Sequence, residues 1–372
     1  MWYNGILTNQ YPHPKECLMR TIITQETEIN KYLSEKSFEF LTSVPRNHIR
    51  AMILSFLQRG SSGKTDEFSE YSGTHRTSSG HFLSKGKWDE RRLDQTQKRV
   101  ISQTVEARAL KENRPIYLSI DDTVCPKTKP SSKAKRPMEG AGWHFSHTEG
   151  KLVYGYQFLG VHVGTGDAGF CYDLERYEKD TRTKVEMSKD ILRALPKSHA
   201  KTFVLTDSWY TGSDLFRLCA TRNFTLIGAM KTNRILYPNG CKQSVADYAQ
   251  SLTESHFHPV TVKGKTYMVC RYEGSLNKIG KAVALLTYPV GNFGNQQSLR
   301  AYLCSDTELS DEEILTHYSN RWKIETMFRT YKRYFAIKHF MVRTVRAIDR
   351  LLIIAVLAGL VFCTHSGLFR CR

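Results

Sequence analysis

Cysteine at metal-binding or redox spacing is missing from this chain: nine cysteines are scattered over 372 residues and no two form a Cys-x-x-Cys pair. That absence argues against a structural zinc site, and the odd count fits reduced thiols packed as small apolar groups in a cytosolic protein. The first residues, Met1 to Tyr11, lack the basic-then-apolar order of a signal peptide. Long apolar runs are scarce as well. The longest, Leu351 to Cys363, covers 13 residues, against the ~18 to 20 that cross a bilayer. Asp349 and Arg350 precede it, so it is expected to be a buried helix, and no membrane partner is expected. No internal repeat is present.

The largest deficit is in negative charge. Asp and Glu number 36 against 54 Lys and Arg, which leaves a formal net charge of +18. A polyanionic partner is expected, and nucleic acid first, because phosphates reward many modest cationic contacts through counterion release.

The patterning divides the chain into four stretches. Residues 1–112 are expected to form a helical, DNA-binding domain. Ile49, Met52, Ile53, Phe56 and Leu57 recur at helical spacing after Pro45. Gly60-Ser-Ser-Gly63 then breaks the chain. A short helix is expected from about His75 to Lys85, and another from about Trp88 to Leu110 with Arg91, Arg92, Lys98 and Arg99 on its solvent side. These helices suit a helix-turn-helix-like module or, equally, a bundle with solvated cations.

Residues 113–230 turn to strands, at Ile116–Ile120, Leu152–Val163, Gly169–Tyr177, Thr202–Thr206 and Thr225–Ala229, with helices near Lys184–Leu195 and Ser213–Arg222. The order β-β-β-α-β-α-β is that of a ribonuclease-H-like sheet, and α/β sheets present their chemistry at strand carboxyl ends, where Asp121-Asp122 and Asp207 fall. Residues 231–306 read as a β-rich insertion. Residues 307–372 read as the final helices of the catalytic core, opened by Ser310 as a cap with Glu313 three residues on. The expected fold class is thus α/β, a ribonuclease-H-like mixed sheet flanked by helices. Pro126 to Arg136, rich in Lys, Pro and Ser, is expected to be a basic loop.

In the last stretch Tyr318, Arg321, Glu325 and Lys332 stand at offsets of 3, 7 and 14 from the first. On one helix these positions share an arc of roughly 60° over about 21 Å. Such a face offers cations to phosphate and a carboxylate to a metal. Three carboxylates from separate elements (Asp121 or Asp122, Asp207 and Glu325) are what a two-metal phosphodiester site needs. A solvated stripe and ordinary strand-end aspartates are the plainer alternatives.

This constellation resembles the DDE transposases of bacterial insertion sequences, more narrowly the insertion-sequence-four family with its Tyr-x2-Arg-x3-Glu-x6-Lys signature. The signature stands here as Tyr318, Arg321, Glu325 and Lys332. Ser119-Ile-Asp-Asp-Thr123 resembles the first catalytic block, Thr206-Asp207-Ser-Trp-Tyr210 the second, and Trp143-His-Phe-Ser-His147 the His-rich sequence that follows the first. The resemblance implies Asp122, which directly precedes Thr123, with Asp207 and Glu325 as catalytic, metal-binding residues. Asp121 is the ambiguous neighbour. It further implies two Mg²⁺ ions, with Mn²⁺ as a substitute, and Tyr318, Arg321 and Lys332 as DNA contacts. The partners implied are double-stranded terminal inverted repeats and target DNA, met as a homodimer, in the bacterial cytoplasm on the nucleoid.

The implied reaction is hydrolysis at the transposon end followed by strand transfer. A nuclease of the same fold that cuts without joining, and a non-catalytic transposase-derived DNA-binding protein, are the alternatives. Trp209 and Trp322 are expected to pack rather than to stack on a base, and His144 and His147 to serve a surface loop. The chain ends 372 − 325 = 47 residues after Glu325, where relatives usually continue, so a shortened copy is expected.

Overall fold

A computed structural model describes residues 26–59, 63–135, 137–146 and 149–365. His147, Arg136, Gly60 to Ser62, Cys17 and Cys371 lie outside them. The chain divides into two compact units, one of residues 1–93 with 331–368, the other centred on 94–330.

The first unit is helical. Its helices are α1 (Glu26–Leu33), α2 (Ser43–Arg59), α3 (Thr65–Ser72) and α4 (Arg76–Ser84), joined by the late helix α11 (Val345–His365). Ile49, Met52, Ile53 and Phe56 of α2 are fully buried, as their spacing requires. The expected 13-residue apolar helix is longer than its apolar run, and Val345–Thr364 is long and apolar enough to cross a membrane by length and composition. Here it is a core helix, packed against α1, α2 and α4 and mostly buried. Residues 331–368 therefore group with the N-terminal helices, whereas the sequence division had kept them with the catalytic core.

Arg350 makes that packing specific. It is 1% exposed. Its guanidinium donates to the carbonyls of Phe82 at 3.0 Å, Leu83 at 3.1 Å and Gly86 at 2.9 Å, and to Glu90 at 2.9 Å. It also lies over the Trp88 ring at 4.8 Å. The Phe82 and Leu83 carbonyls belong to the last turn of α4, which has no further helix to bond them, and a cation there also meets the negative end of the helix dipole.

The second unit is one twelve-stranded mixed sheet flanked by helices. It is entered through α5 (Glu90–Glu112), and its first strands are β1 (Ile116–Pro126), β2 (Gly142–Ser146), β3 (Lys151–Thr165) and β4 (Ala168–Arg176). Helix α6 (Lys184–Ala194), β5 (Thr202–Thr206), α7 (Ser213–Thr221) and β6 (Thr225–Met230) follow. β3 pairs antiparallel with β1, β1 runs parallel to β5, and β5 runs parallel to β6. β2 and β4 share the far edge of the long β3. This is the ribonuclease-H-like arrangement.

The strands of 231–306 do not stand apart from it. β7 (Ile235–Leu236), β8 (Gln243–Ser244), α8 (Val245–Ser251), β9 (His258–Val262), β10 (Lys265–Leu276) and β11 (Gly280–Pro289) lead to β12 (Arg300–Cys304). β12 hydrogen-bonds to β6 and β11 to β12, so the stretch extends the same sheet. The unit closes with α9 (Asp311–Tyr318), a 3₁₀ turn at 319–321 and α10 (Trp322–Tyr334), whose last residues fall in the first unit. Ser310 and Glu313 form the expected capping box at the start of α9.

Lys98 departs from expectation. Rather than facing solvent, it is paired with Asp94 at 2.8 Å and Asp173 at 2.7 Å, which hold its ammonium charged against the cost of burial. Among the described cysteines none is bonded, and Cys125, Cys171, Cys219, Cys270 and Cys304 are buried.

Candidate active site

The parity of β1 decides which of its aspartates meets α10. Successive strand residues face opposite sides of a sheet. Tyr117 shares the odd-numbered face and donates or accepts a 2.8 Å hydrogen bond with His317 of α9. Ile116 and Leu118, on the even face, line a small cavity with Ser102 and Val105 of α5. Asp121 belongs with Tyr117. Its carboxylate accepts from Arg321 at 3.0 Å, and the same guanidinium donates to Glu325.

Asp122 faces the other way. It accepts from Lys184 at 2.7 Å and Tyr210 at 2.6 Å, and also from Gln157, whose carbonyl oxygen pairs with the buried His144. The geometry therefore brings Asp121, not Asp122, to Arg321 and Glu325. The expectation chose Asp122 for its place before Thr123, whereas strand alternation gives the contact with Arg321 to Asp121. His144 is likewise buried behind this network rather than set in a surface loop.

Nor does β1 end at Ile120. Its parallel pairing with β5 stops at Ile120 opposite Thr206, while its pairing with β3 continues to Pro126. Asp121 and Asp207 thus both sit just beyond the last parallel rung. Burial is the main reason the Asp121 carboxyl is pushed up to about 7, with Arg321 opposing and the Asp207 and Asp122 charges adding to the rise.

Asp207 is fixed by its own turn. Its Oδ1 accepts from the backbone N–H of Trp209 at 2.9 Å and of Tyr210 at 3.3 Å, leaving Oδ2 without a hydrogen bond among the described residues. Thr211 closes the turn by donating from Oγ1 to the Asp207 carbonyl at 2.7 Å.

The signature residues are not one uniform stripe. The 3₁₀ turn tightens the chain between Tyr318 and Trp322. Tyr318 packs against Tyr302 with ring centroids 4.8 Å apart, and burial raises its phenol. Arg321 and Glu325 meet Asp121, whereas Lys332 lies in the last turn of α10, in the first unit. Both tryptophans expected to be packing are open to solvent, Trp209 at 56% and Trp322 at 42%. The ammonium groups of Lys184 and Lys231 lie 5.1 and 5.2 Å from the Trp209 ring centre. Its place next to Asp207 was the sequence signal for that exposure.

A comparison with family models finds the transposase DDE domain over residues 113–360. The chain belongs to the transposase DDE-domain family. Two thirds of the sequence carries the match, which includes all three acidic positions. Among solved structures, the piggyBac transposase synaptic complex with hairpin DNA is similar at 12% identity and a TM-score of 0.46, over 94% of this chain and 74% of that one. The Drosophila P element transposase strand transfer complex is similar at 10% and 0.26, over 68% and 53%. The Mos1 strand transfer complex is similar at 10% and 0.19, over 60% of each chain. No curated protein matches.

In this DDE domain a glycine sets the approach of α10. Gly160 is the cross-strand partner of Asp121, and a Cβ there would lie 2.4 and 2.6 Å from ring atoms of Phe328, one turn beyond Glu325. Gly160→Ala is expected to push α10 outward. The expected cost is about 1–3 kcal/mol of stability, read as a lowered denaturation midpoint. An unchanged midpoint would show that the ring swings aside without moving the helix.

Proposed function

We propose that the chain is a DNA transposase that cuts the ends of a transposable element and joins the freed 3′-hydroxyl to target DNA. Asp121, Asp207 and Glu325 are its acidic residues in this reading. The observation that carries it is the Arg321 bridge between Asp121 and Glu325, beside Asp207, inside a transposase DDE domain. The Tyr-Arg-Glu-Lys signature supports the narrower insertion-sequence-four assignment, and the +18 charge supports DNA as partner.

The donor set is all carboxylate oxygen, which suits Mg²⁺ or Mn²⁺. Among the described residues no three such side chains are already gathered around one point, so Glu325 would exchange Arg321 for metal on binding. Two bound ions supply activation of the attacking oxygen and stabilisation of the leaving one. The chain's own residues do the rest. The turn at Asp207 holds Oδ1 and leaves Oδ2 for a metal, Gly160 lets α10 approach with Glu325, and Arg321, once released, would receive a phosphate. The exposed Trp209 ring, with the Lys184 and Lys231 ammonium groups near it, extends the DNA path, and Lys332 is a further DNA contact in this reading. Work on two ends implies a homodimer on DNA.

The test uses DNA carrying the flanks of the coding region, with Mg²⁺ and a target plasmid. Joined products are expected, and Asp207→Ala is expected to abolish cleavage while DNA affinity stays within about twofold. Cleavage without joining would leave a nuclease, and equal loss of cleavage and binding would remove Asp207 from the metal site.

A further inference from the structure

Four apolar side chains lie side by side on the outer end of β2 and β3. Trp143 pairs across the strands with Tyr154, and Phe145 with Leu152. Trp143, Phe145 and Leu152 are 51%, 50% and 61% exposed, and the Trp143 and Tyr154 rings meet edge to face at 5.8 Å. Such clustering of exposed large apolar groups marks a contact surface rather than scattered surface residues.

Register fixes where this surface lies. Asp121 pairs with Gly160, Thr123 with Phe158 and Cys125 with Tyr156, so the even residues of β3 share the face of Asp121. Tyr154 continues that row, 160 − 154 = 6 residues from the Asp121 rung, or about 20 Å along the strand. The patch therefore occupies the same side of the sheet as the acidic residues and Arg321.

Its surroundings are basic. The described residues from Pro126 to Lys151 carry Lys127, Lys129, Lys133, Lys135 and Lys151 against Glu139 and Glu149. The Lys127 backbone N–H ties the loop to Tyr154 at 2.8 Å, and the Lys129 ammonium lies 5.7 Å from the Trp143 ring centre. Aromatic faces interleaved with cations suit a strand of nucleic acid whose bases are unstacked, since bases stack on the rings while phosphates meet the ammonium groups. A fully paired duplex buries its base faces between neighbouring pairs and exposes only those of its two end pairs.

We infer that the paired ends of β2 and β3 and the loop of residues 127–135 form a docking surface for unpaired DNA adjoining the cut end. The inference rests on the transposase reading above. The test compares the affinity of the full chain, at fixed salt, for a blunt duplex and for the same duplex with an oligothymidine tail. The tail is expected to strengthen binding about tenfold, the scale of one stacked base. Trp143→Ala with Phe145→Ser is expected to remove that gain, Trp143→Tyr to keep most of it, and neither to change blunt-duplex affinity. With the unsubstituted protein, a photoreactive bromodeoxyuridine tail is expected to crosslink to the peptide containing Trp143 and Phe145.

No gain from the tail, or crosslinks confined elsewhere, would overturn the inference while leaving the transposase reading intact. A patch variant that changes the oligomeric state with tail binding unaltered would make the surface a self-interface, and also overturn it. Failure to bind either DNA would instead strike at the transposase reading itself.

Discussion

Replacing Asp121 by Asn is expected to abolish metal-dependent cleavage, by about a thousandfold or more, and at the same time to make the protein more stable at pH 8. The two effects share one cause. The folded carboxyl is raised from 3.8 to about 7, so it holds its proton more tightly folded than unfolded. For a raised acid, the stabilisation is full below the unfolded value and is lost as pH climbs through about 7. Above that, folding must ionise a buried group against Asp207 and Asp122, with Arg321 offsetting only part of the cost. An Asn can still accept from Arg321 and from the Asp122 N–H without carrying charge.

Its expected gain is about 2–4 kcal/mol at pH 8, shrinking towards zero near pH 4. Denaturation of both proteins in chelator from pH 4 to pH 8 checks this. A constant difference across that range would sink the argument. Asp122→Asn separates the two aspartates further. It weakens the contacts to Lys184, Tyr210 and Gln157, so it is expected to lower stability, and any loss of activity should follow that loss.

Arg350→Ala is expected to be the most damaging single change in the helical unit. It would leave the carbonyls of Leu83 and Gly86 without their side-chain donor, that of Phe82 with only the 3.3 Å bond from the Trp88 indole N–H, and Glu90 without its principal cation. It would also open a space beneath Trp88. Breaking a buried charge pair on one side costs about 3–5 kcal/mol, and each unsatisfied buried acceptor adds to that. A fall in midpoint of about 10 °C follows for a unit of this size. Arg350→Lys keeps the charge but not the planar fork, so it is expected to recover only part of the loss. Thermal denaturation of the three proteins side by side decides it. A shift of only a degree or two for the Ala variant would show that water replaces the guanidinium.

Much of the site was legible because its residues sit at sequence-local marks. Glu325 announced itself through the spacing to Tyr318 and Arg321, and Asp207 through the strand that ends on it. Asp121 against Asp122 was not legible, since two adjacent carboxylates carry the same chemistry and only pairing with β3 gives each a face. The length of β1 was hidden for the same reason: its last residues are held by a partner some thirty positions away. β2 escaped notice because a five-residue strand with Trp and Phe outside lacks the usual polar outer face. The helices α1 and α3 were missed between better-patterned neighbours. The apolar run marked α11 but not its full extent, as Arg350 reads as a helix boundary until its buried acceptors are seen. The extension of the sheet by β12 was unreadable locally, because strand order depends on which edge is free, and β6 offers one.

The paired aspartates have a consequence for how β1 finds its place. A one-residue slip that sets Asp122 opposite Gly160 would still present an aspartate to Arg321, so the acidic site cannot tell that shifted pairing from the correct one. The opposite face can. After that slip Thr123 would stand where Asp122 meets Lys184, Tyr210 and Gln157, and the half-buried ammonium would lose its counter-ion. Lys184 thus acts as a register gauge for the strand, and the second aspartate keeps the first one in step.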